Sequence, residues 1–268
     1  MAYETLLTST DAGVTLVTLN RPERMNAGNE TMAAEISAVL EGAEADDDVR
    51  VVVFTGQGRA FCAGADLGEG EDTFREVDDV NPHIAGTPET MPWDISKPVV
   101  TAMNGHAIGV GMTFPMTTDL RFAAQDAKMQ FAFVRRGIIP ELGSMRLLER
   151  IVGRQVASDL LMSGRMFTGA EAAAMGLVAR ALPADEVLPA ALEWARDVAA
   201  NTAPVSVAAT KRIMWEEARV EAEDMFDRET RILPWLGGQP DAAEGVMAFL
   251  EKRAPAWTMR PSRDMPDF

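Results

Sequence analysis

The chain has 268 residues, 47% of them hydrophobic and 25% charged, which is the composition of a folded globular protein rather than a disordered one. Acidic residues number 41 and basic residues 25, and the net charge of −16 argues against nucleic acid or an anionic membrane surface as a partner. The single cysteine, Cys62, excludes an internal disulfide, and no apolar stretch reaches the roughly 18 residues of a membrane span. The opening stretch MAYETLLTST lacks a secretory signal pattern, so we expect a cytoplasmic protein.

The first half of the chain alternates strand and helix patterns. A strand is predicted at VTLVTL, 14–19, followed by a helix that begins near Asn29 and a second strand at VRVVVFTG. The apolar run VVVF is typical of a strand covered on both faces. A third strand is predicted at PVVTAM, a turn and a helix entry follow at NGHAIGVGM, 104–112, and DLRFAA, 119–124, is a further strand. This recurring ββα cadence predicts an α/β fold.

From about residue 144 onward the pattern is almost entirely helical. Thr168 and Glu171 have the spacing of a capping box, in which each residue satisfies a backbone N–H of the other. Gly176 is placed to end the helix that they begin.

A later helix is predicted in DAAEGVMAFLEKR, with Asp241 and Glu244 at its start. Three apolar residues of this segment, Val246, Phe249 and Leu250, recur at helical spacing. We therefore expect them to form one apolar stripe that needs a partner.

The stretch 69–93 is acidic, contains prolines and shows no clear periodicity. Such a pattern is typical of a long surface loop, and long loops are often lids over a binding site. We predict a mobile lid here, which offers the carboxylates of Glu69, Glu71 and Asp72 as additional groups for a site.

Several kinds of catalytic site are excluded by the residues that are absent. His83 and His106 are the only histidines and pair with no second ligand, so no nitrogen or sulfur metal cluster is expected. Neither the G-x-S-x-G nucleophile motif nor the phosphate-binding G-x-x-x-x-G-K-[ST] pattern occurs.

Two stretches of small residues each follow a predicted strand, RAFCAGADL at 59–67 and NGHAIGVGM at 104–112. Small residues at a helix start let backbone N–H groups converge on negative charge. Each stretch is therefore a candidate donor to an oxyanion, although a plain strand-to-helix turn has the same composition.

Glu141 is the one charged residue in IIPELGSM, 138–145. A carboxylate at this position either caps the following helix, where the N-terminal N–H groups favour negative charge, or is held in a dry pocket for chemistry. An apolar pocket formed beside Ile138, Ile139 and Leu142 is expected to raise its pKa, which suits a group that both takes and returns a proton.

Taken in order, LNRPERMNA at 19–27, GRAFCAGADL, KPVVTAMNGHAIGVGM and GIIPELGSMRLLERIVG at 137–153 resemble the crotonase family, also called the enoyl-CoA hydratase/isomerase family. The late stretches GRMFTGAEAAAMGLVARALP and GVMAFLEKRAPAW are similar to it as well. The resemblance implies a spiral of ββα units over 1–200 and a helical C-terminal region over 201–268 that builds homotrimers, often paired into hexamers.

The resemblance also implies an acyl-CoA substrate, no further cofactor and a thioester enolate held by two backbone N–H groups. The matching N–H groups belong to Ala65 and Val110. Because these donors are main-chain groups, the valine side chain does not remove the second of them.

Coenzyme A carries phosphate charges that an acidic protein has to meet with local cations. By resemblance, the CoA-binding candidates are Arg24, Ala63, Asp66 and Lys252, the last reaching a neighbouring subunit's ligand. Asp66 and Asp119 are also interpreted as structural residues that hold turns or backbone.

The chain departs from the family pattern at the two glutamates that activate water in one type of hydratase, since their positions match Thr113 and Phe133. Glu141 lies where some isomerases of the family hold an acid/base carboxyl group. Double-bond isomerisation of an enoyl-CoA is therefore the favoured prediction. The alternatives are a hydratase in which Glu141 activates water, alone or with a lid carboxylate, and a non-catalytic acyl-CoA-binding protein.

Overall fold

Two β-sheets lie at the centre of the fold, in a computed structural model that describes residues 3–68, 70–74 and 87–265. Within these ranges, the larger sheet has the strand order β1 (Leu6–Asp11), β2 (Val14–Leu19), β3 (Val51–Gly56), β5 (Val99–Met103), β7 (Leu120–Ala124) and β10 (Arg180–Leu182). The smaller sheet has the order β4 (Ala60–Cys62), β6 (His106–Ile108), β8 (Lys128–Gln130) and β9 (Phe167–Thr168).

The α-helices of the described ranges follow the predicted order and crowd into the second half of the chain. They are α1 (Glu30–Ala45), α2 (Val110–Met116), α3 (Ser144–Val152), α4 (Arg154–Ser163), α5 (Gly169–Ala174), α6 (Ala184–Asn201), α7 (Pro204–Gly237), α8 (Pro240–Leu250) and α9 (Pro261–Asp264). None of them combines the length and the apolar character that crossing a bilayer requires.

Successive segments of the chain place one strand in each sheet. β3 is followed by β4, β5 by β6 and α2, and β7 by β8. The segments pair in parallel with one another: β5 lies between β3 and β7 in the larger sheet and pairs with both, and β6 lies between β4 and β8 in the smaller sheet and pairs with both. The predicted α/β fold, a spiral of ββα units followed by a helical C-terminal region, is confirmed.

Strand β3 illustrates why the central strands need no polar face. All six of its residues, VVVFTG, are buried, because α6 and the smaller-sheet strand β4 both pack against it. The Phe54 ring also meets the Phe114 ring of α2 edge-on, with 5.2 Å between centroids. Full burial of each such side chain contributes about 1.5–3 kcal/mol. The prediction of a strand covered on both faces is confirmed.

Two helices in the described chain begin at their predicted boundaries and are capped there by side chains. The Asn29 side chain accepts a hydrogen bond from the Met32 N–H at the start of α1. Thr168 and Glu171 form the reciprocal capping box at the start of α5, and Gly176, with φ at 77°, follows its end. Both sets of boundaries are therefore as the sequence predicts.

The long helix α7 is anchored to the sheet by a buried lysine. Lys211 Nζ donates to the carbonyl oxygens of Pro92 and Lys97, at 2.7 and 2.8 Å, and pairs with Asp119 Oδ2 at 2.9 Å. Asp119 Oδ1 also accepts a hydrogen bond from the indole of Trp215 at 2.6 Å. This geometry gives Asp119 the structural role that the sequence analysis assigned to it.

Helix α8 departs from the prediction in two respects. It begins at Pro240, and the Asp241 carboxylate accepts hydrogen bonds from the Thr258 and Met259 N–H groups, so it fastens the chain beyond the helix rather than the helix start. The predicted stripe also divides: Val246 is fully buried, whereas two apolar residues remain exposed, namely Phe249 and Leu250.

The stretch 69–93 contains packed segments where one long lid was predicted. Residues 70–74 form a short 3₁₀ turn that places Phe74 in the core. Farther along, the N–H groups of Glu89 and Thr90 both donate to Ser37 Oγ on α1, and the following segment places Trp93 against the Trp215 ring. The remainder, 75–86 and Glu69, lies outside the described residues, as does the side chain of Asp72.

Candidate active site

The two glycine-rich turns, in 59–67 and 104–112, pack against each other so closely that larger side chains do not fit between them. A Cβ at Gly111 would lie 2.2 Å from the Cys62 carbonyl oxygen, so α2 starts in direct contact with the end of β4. Across the first turn, the Gly28 N–H donates to the Gly64 oxygen at 2.8 Å, and the Asp66 N–H donates to the Gly28 oxygen at 2.9 Å. The close approach requires the small residues that the sequence shows in both stretches.

The two predicted oxyanion donors lie on either side of Gly28. Ala65 forms an isolated parallel bridge with Gly28, and a Cβ placed on Gly28 would be 3.5 Å from Val110 Cγ1. Val110 is the first residue of α2, whose first N–H groups have no partner within the helix. In the described part of the chain, no acceptor bonds the N–H of either Ala65 or Val110. Both donors are therefore free to bind a substrate oxygen.

Glu141 is buried beside the same helix. Its side chain is only 8% exposed, and its Oε1 accepts a long hydrogen bond, 3.5 Å, from Thr113 Oγ1. Thr113 lies three residues beyond Val110, which is about one turn of α2. The carboxyl group of Glu141 therefore contacts the helix whose first residue is one candidate oxyanion donor.

In the described chain, Glu141 lies in a dry environment and its side chain does not cap α3. Burial raises the pKa of Glu141 to about 7, against which the Thr113 hydrogen bond acts weakly. The side chain accepts no hydrogen bond from a backbone N–H of α3 in the described chain, and only its carbonyl oxygen bonds Ser144 N. Of the two readings that the sequence left open, the geometry favours the dry carboxyl group.

A side chain that the sequence analysis missed accepts a backbone hydrogen bond at the start of α3. Glu229 of α7 accepts the Gly143 N–H through its Oε2 at 2.8 Å, across 86 residues of sequence. It is 1% exposed, and burial together with the charge of Glu141 raises its pKa to about 8. The available signal was periodicity, because Glu229 shares a helical face with the buried Ala222 and Leu233.

Thr113 and Phe133 occupy buried positions, as expected for residues that line a pocket. Thr113 is fully buried, and Phe133 is 6% exposed. Phe133 carries no group that transfers protons, and the Thr113 hydroxyl stays protonated near neutral pH. Glu141 is therefore the ionisable group that bonds the Thr113 hydroxyl of α2.

The CoA-binding candidates are only partly brought together. The N–H of Ala63 donates to the Met25 oxygen at 3.1 Å, so Ala63 lies beside the loop that carries the exposed Arg24. The Arg24 side chain has no partner within the described chain. Asp66 instead pairs with Arg21 at 2.8 Å, in accordance with its structural interpretation.

Lys252 is exposed just beyond the end of α8, with its backbone in the left-handed region at φ 56°. In the described chain, Lys252 makes no hydrogen bond or ion pair with the loop of Arg24. Its position is compatible with the prediction that it reaches a ligand of a neighbouring subunit.

The sequence analysis also made predictions about the two histidines and about metal binding. His106 Nδ1 accepts the Lys128 N–H at 3.1 Å, so this nitrogen is occupied in the smaller sheet. His83 lies outside the described residues. Among the described residues, no group of three or more His, Cys, Asp or Glu side chains is placed to hold a metal ion.

Comparisons with known proteins identify the family that the chain resembles. Residues 9–260 match the family model described as enoyl-CoA hydratase/isomerase. The chain is 35% identical over 244 residues to the enoyl-CoA hydratase ACTT3 of Alternaria alternata, covering 91% of this chain and 82% of the relative. It is 35% identical over 257 residues to a probable enoyl-CoA hydratase of Rhizobium meliloti, covering 94% and 97% of the two chains.

A solved structure shows the same fold. The enoyl-CoA hydratase/isomerase from Pseudoalteromonas atlantica T6c superposes with a TM-score of 0.84 at 34% identity, covering 95% of this chain and all of the other. The match spans both the ββα spiral and the helical C-terminal region. The chain therefore belongs to the enoyl-CoA hydratase/isomerase family, which is also called the crotonase family.

Proposed function

We propose that this protein moves the double bond of an enoyl-CoA, with Glu141 as the single acid/base. The observation that carries the proposal is a buried carboxyl group, with its pKa raised to about 7, that bonds Thr113, and Thr113 lies one helical turn from the free N–H of Val110. Thr113 and Phe133 replace the pair of glutamates expected for the water-activating hydratase site. One proton carrier is sufficient for isomerisation, because the same proton leaves one carbon and arrives at another.

The reaction begins when the thioester oxygen of a 3-enoyl-CoA accepts hydrogen bonds from the N–H groups of Ala65 and Val110. The ionised Glu141 removes a proton from the α-carbon, and the electron pair of that C–H bond forms a dienolate whose negative charge rests on the thioester oxygen. The protonated Glu141 returns the proton to the γ-carbon, and the product is a 2-enoyl-CoA. One preorganised donor at such an oxygen is worth about 3 kcal/mol of transition-state stabilisation.

A pKa near 7 suits both halves of this cycle. A general base works best when its pKa lies near the operating pH, because it is then ionised often enough to accept a proton and acidic enough to give it back. Burial is the main cause of the shift in Glu141, so closing the pocket over a substrate acts in the same direction.

Substrate binding is proposed to use the CoA part of the molecule and no separate cofactor. The exposed guanidinium of Arg24 is available for a CoA phosphate, and Ala63 lies beside the same loop. Lys252 is proposed to meet a phosphate from the neighbouring subunit. These assignments place cations where an acidic chain needs them for a polyanionic ligand.

A hydratase is the second candidate, and the names of the relatives from Alternaria alternata and Rhizobium meliloti favour it. In that reaction Glu141 would activate a water molecule for addition to a 2-enoyl-CoA, alone or with a carboxylate such as Glu71. A third candidate is a protein that binds acyl-CoA without turning it over.

Product analysis separates these candidates. The protein is incubated with a 3-enoyl-CoA and, separately, with a 2-enoyl-CoA of the same chain length, and the products are identified by mass spectrometry and chromatography. The proposal predicts interconversion of the two enoyl-CoA isomers with no change in mass. A mass gain of one water identifies a hydratase, and tight binding with no turnover of any enoyl-CoA identifies a binding protein.

A further inference from the structure

Two buried polar atoms in the described chain lack a hydrogen-bond partner, and both lie beside the same backbone turn. They are Glu229 Oε1 and Ser144 Oγ. The other oxygen of Glu229 accepts the Gly143 N–H, and Ser144 is the next residue along the chain. An ionised carboxylate is strongly disfavoured in a dry place when one of its oxygens has no donor, whereas a protonated carboxyl group is tolerated there. The geometry therefore favours the neutral form of Glu229.

The turn that Glu229 contacts also carries Glu141. Leu142 lies in the left-handed region at φ 61°, which is unfavourable for a leucine, and Gly143 follows at φ 62°. A Cβ at Gly143 would lie 2.6 Å from the Ala222 oxygen, so the backbone of α7 lies directly against this turn. A strained turn of this kind persists only when the surrounding structure holds it. The Gly143 hydrogen bond to Glu229 is the contact that does so from α7.

The two carboxyl groups affect one another. The charge of Glu141 is one cause of the raised pKa of Glu229, which burial brings to about 8, whereas the pKa of Glu141 is about 7. Because a second charge beside the first would add repulsion in a buried place, we expect the pair to carry one negative charge and one proton near neutral pH. The charge then belongs mainly to Glu141 and the proton mainly to Glu229.

No cation of the packed elements offsets this charge in the described chain. Arg146 and Arg150 face α7 from α3, and both already form ion pairs, with Glu149, Glu217 and Glu221. Arg253, beyond α8, is likewise paired with Glu244 and Glu251. The group whose charge acts on Glu229 is Glu141, while the Gly143 N–H acts in the opposite sense.

We propose that Glu229 is a positioning residue for Glu141, which stays protonated during turnover and holds the turn 141–143 by accepting the Gly143 N–H. In this role it keeps Glu141 the single ionised carboxyl group beside the developing enolate. The inference rests on the proposed function, since it assigns a helper to the same acid/base.

Two substitutions separate the parts of this role. Glu229→Gln keeps a neutral side chain with an oxygen acceptor for the Gly143 N–H, so kcat is expected to stay within about 3-fold of wild type. Glu229→Met has similar length but no acceptor, and kcat is expected to fall at least about 10-fold while the affinity for a saturated acyl-CoA stays within about 3-fold. The matched control is Glu221→Gln on the same helix, which removes only the exposed ion pairs with Arg146 and Arg150 and is expected to change neither value.

The pH profile supplies a readout that a merely structural residue would not move. Activity of the wild type is expected to rise as Glu141 ionises and to decline at higher pH as Glu229 loses its proton and places a second charge beside the enolate. Glu229→Gln is expected to keep the rise and lose the decline. An alkaline limb that survives unchanged in Glu229→Gln overturns the proposal, and so does equal activity of the Gln and Met variants.

Two measurements remain decisive without turnover. Because Glu141, with its pKa of about 7, also contributes to the infrared C=O band of a protonated carboxylic acid at pH 7, the band is expected in Glu141→Gln and to be absent from the double variant Glu141→Gln/Glu229→Gln. Hydrogen exchange over residues 141–144 is expected to accelerate in Glu229→Met and not in Glu229→Gln. If the wild type isomerises nothing while these results hold, the proposed reaction is wrong and the protonated anchor stands. An infrared band that persists in the double variant Glu141→Gln/Glu229→Gln overturns the anchor itself, as does unchanged exchange in a folded Glu229→Met.

Discussion

At the scale of single residues, burial and the hydroxyl of Thr113 act in opposite directions on the pKa of Glu141. The hydroxyl donates the hydrogen bond that lowers the pKa of Glu141, while burial raises that pKa. The bond is long, at 3.5 Å, so its effect is small beside that of burial. A threonine at position 113 adjusts the pKa of Glu141 without exchanging protons itself, whereas a glutamate there would be a second ionisable group.

Thr113→Val is therefore expected to raise the pKa of Glu141 further. Glu141 has to be ionised to take a proton, so the acidic limb of kcat/KM, near pH 7 in wild type, should move to higher pH. The measurement is a pH–rate profile with a 3-enoyl-CoA. Thr117→Val is the matched control, because this buried threonine of the same helix region bonds only the Phe114 oxygen. A limb that moves to lower pH, or that moves equally in the control, contradicts this interpretation of Thr113.

The residue scale also shows what a single sequence can and cannot reveal about the site. Glu141 stood out because it is alone among apolar and turn-forming residues, and strand-to-turn patterns marked two stretches as candidate donors. The choice of Ala65 and Val110 within those stretches, and of Glu141 as an acid/base, came from the resemblance to the family. Glu229 was not recognisable in this way, because one acidic residue in the charged helix segment EDMFDRETR looks like part of a solvated face. Its contact with Gly143 spans 86 residues and depends on how α7 docks.

At the scale of secondary-structure elements, the sequence patterns that predicted the structure correctly are local ones. The capping box of Thr168 and Glu171 satisfies two backbone N–H groups within one turn and needs no tertiary contact to form. The same holds for the Asn29 cap of α1. Such elements are predictable because the residues that define them are also the residues that bond.

Thr168→Ala removes the side-chain acceptor of this capping box. The free energy of unfolding is expected to fall by about 1 kcal/mol, with no change in kcat for an enoyl-CoA. Chemical denaturation followed by circular dichroism measures the loss. Thr210→Ala is the matched control, since this exposed threonine bonds only the Ser206 oxygen of its own helix. An equal loss in both variants would assign the effect to threonine removal in general.

Elements that depend on distant partners were predicted less well. The strands of the smaller sheet have two or three residues each, too few to show a period of two, and they exist because neighbouring turns of the spiral pair with them. The segment 87–93 carries loop composition, yet hydrogen bonds to Ser37 and the contact of Trp93 with Trp215 pack it in place. Tertiary contacts decide these cases.

At the scale of the whole molecule, the second half of the chain leaves apolar side chains uncovered. On α7, Val205, Ile213 and Met214 are 80%, 71% and 74% exposed, and on α8 Phe249 and Leu250 are about half exposed. Large exposed apolar surfaces of this kind are typical of an interface between subunits. We propose that the helical C-terminal region forms a homotrimer, or two trimers paired into a hexamer.

Sedimentation velocity at micromolar concentration tests this proposal of assembly. A mass of three or six subunits is expected, and the double substitution of Ile213 and Met214 by glutamate should weaken the assembly because it introduces charge into an apolar contact. A wild type that sediments as a monomer contradicts the assembly and also removes the shared-site role of Lys252.

The most direct test of the central claim is the turnover of a 3-enoyl-CoA by Glu141→Gln. Glutamine keeps the size and polarity of the side chain but cannot accept the α-proton, so turnover should fall by about 10²- to 10⁴-fold while acyl-CoA affinity and thermal stability stay close to wild type. Retention of most of the activity, together with a stability loss of about 1 kcal/mol, would contradict the account, because that result describes a structural carboxylate at a helix start.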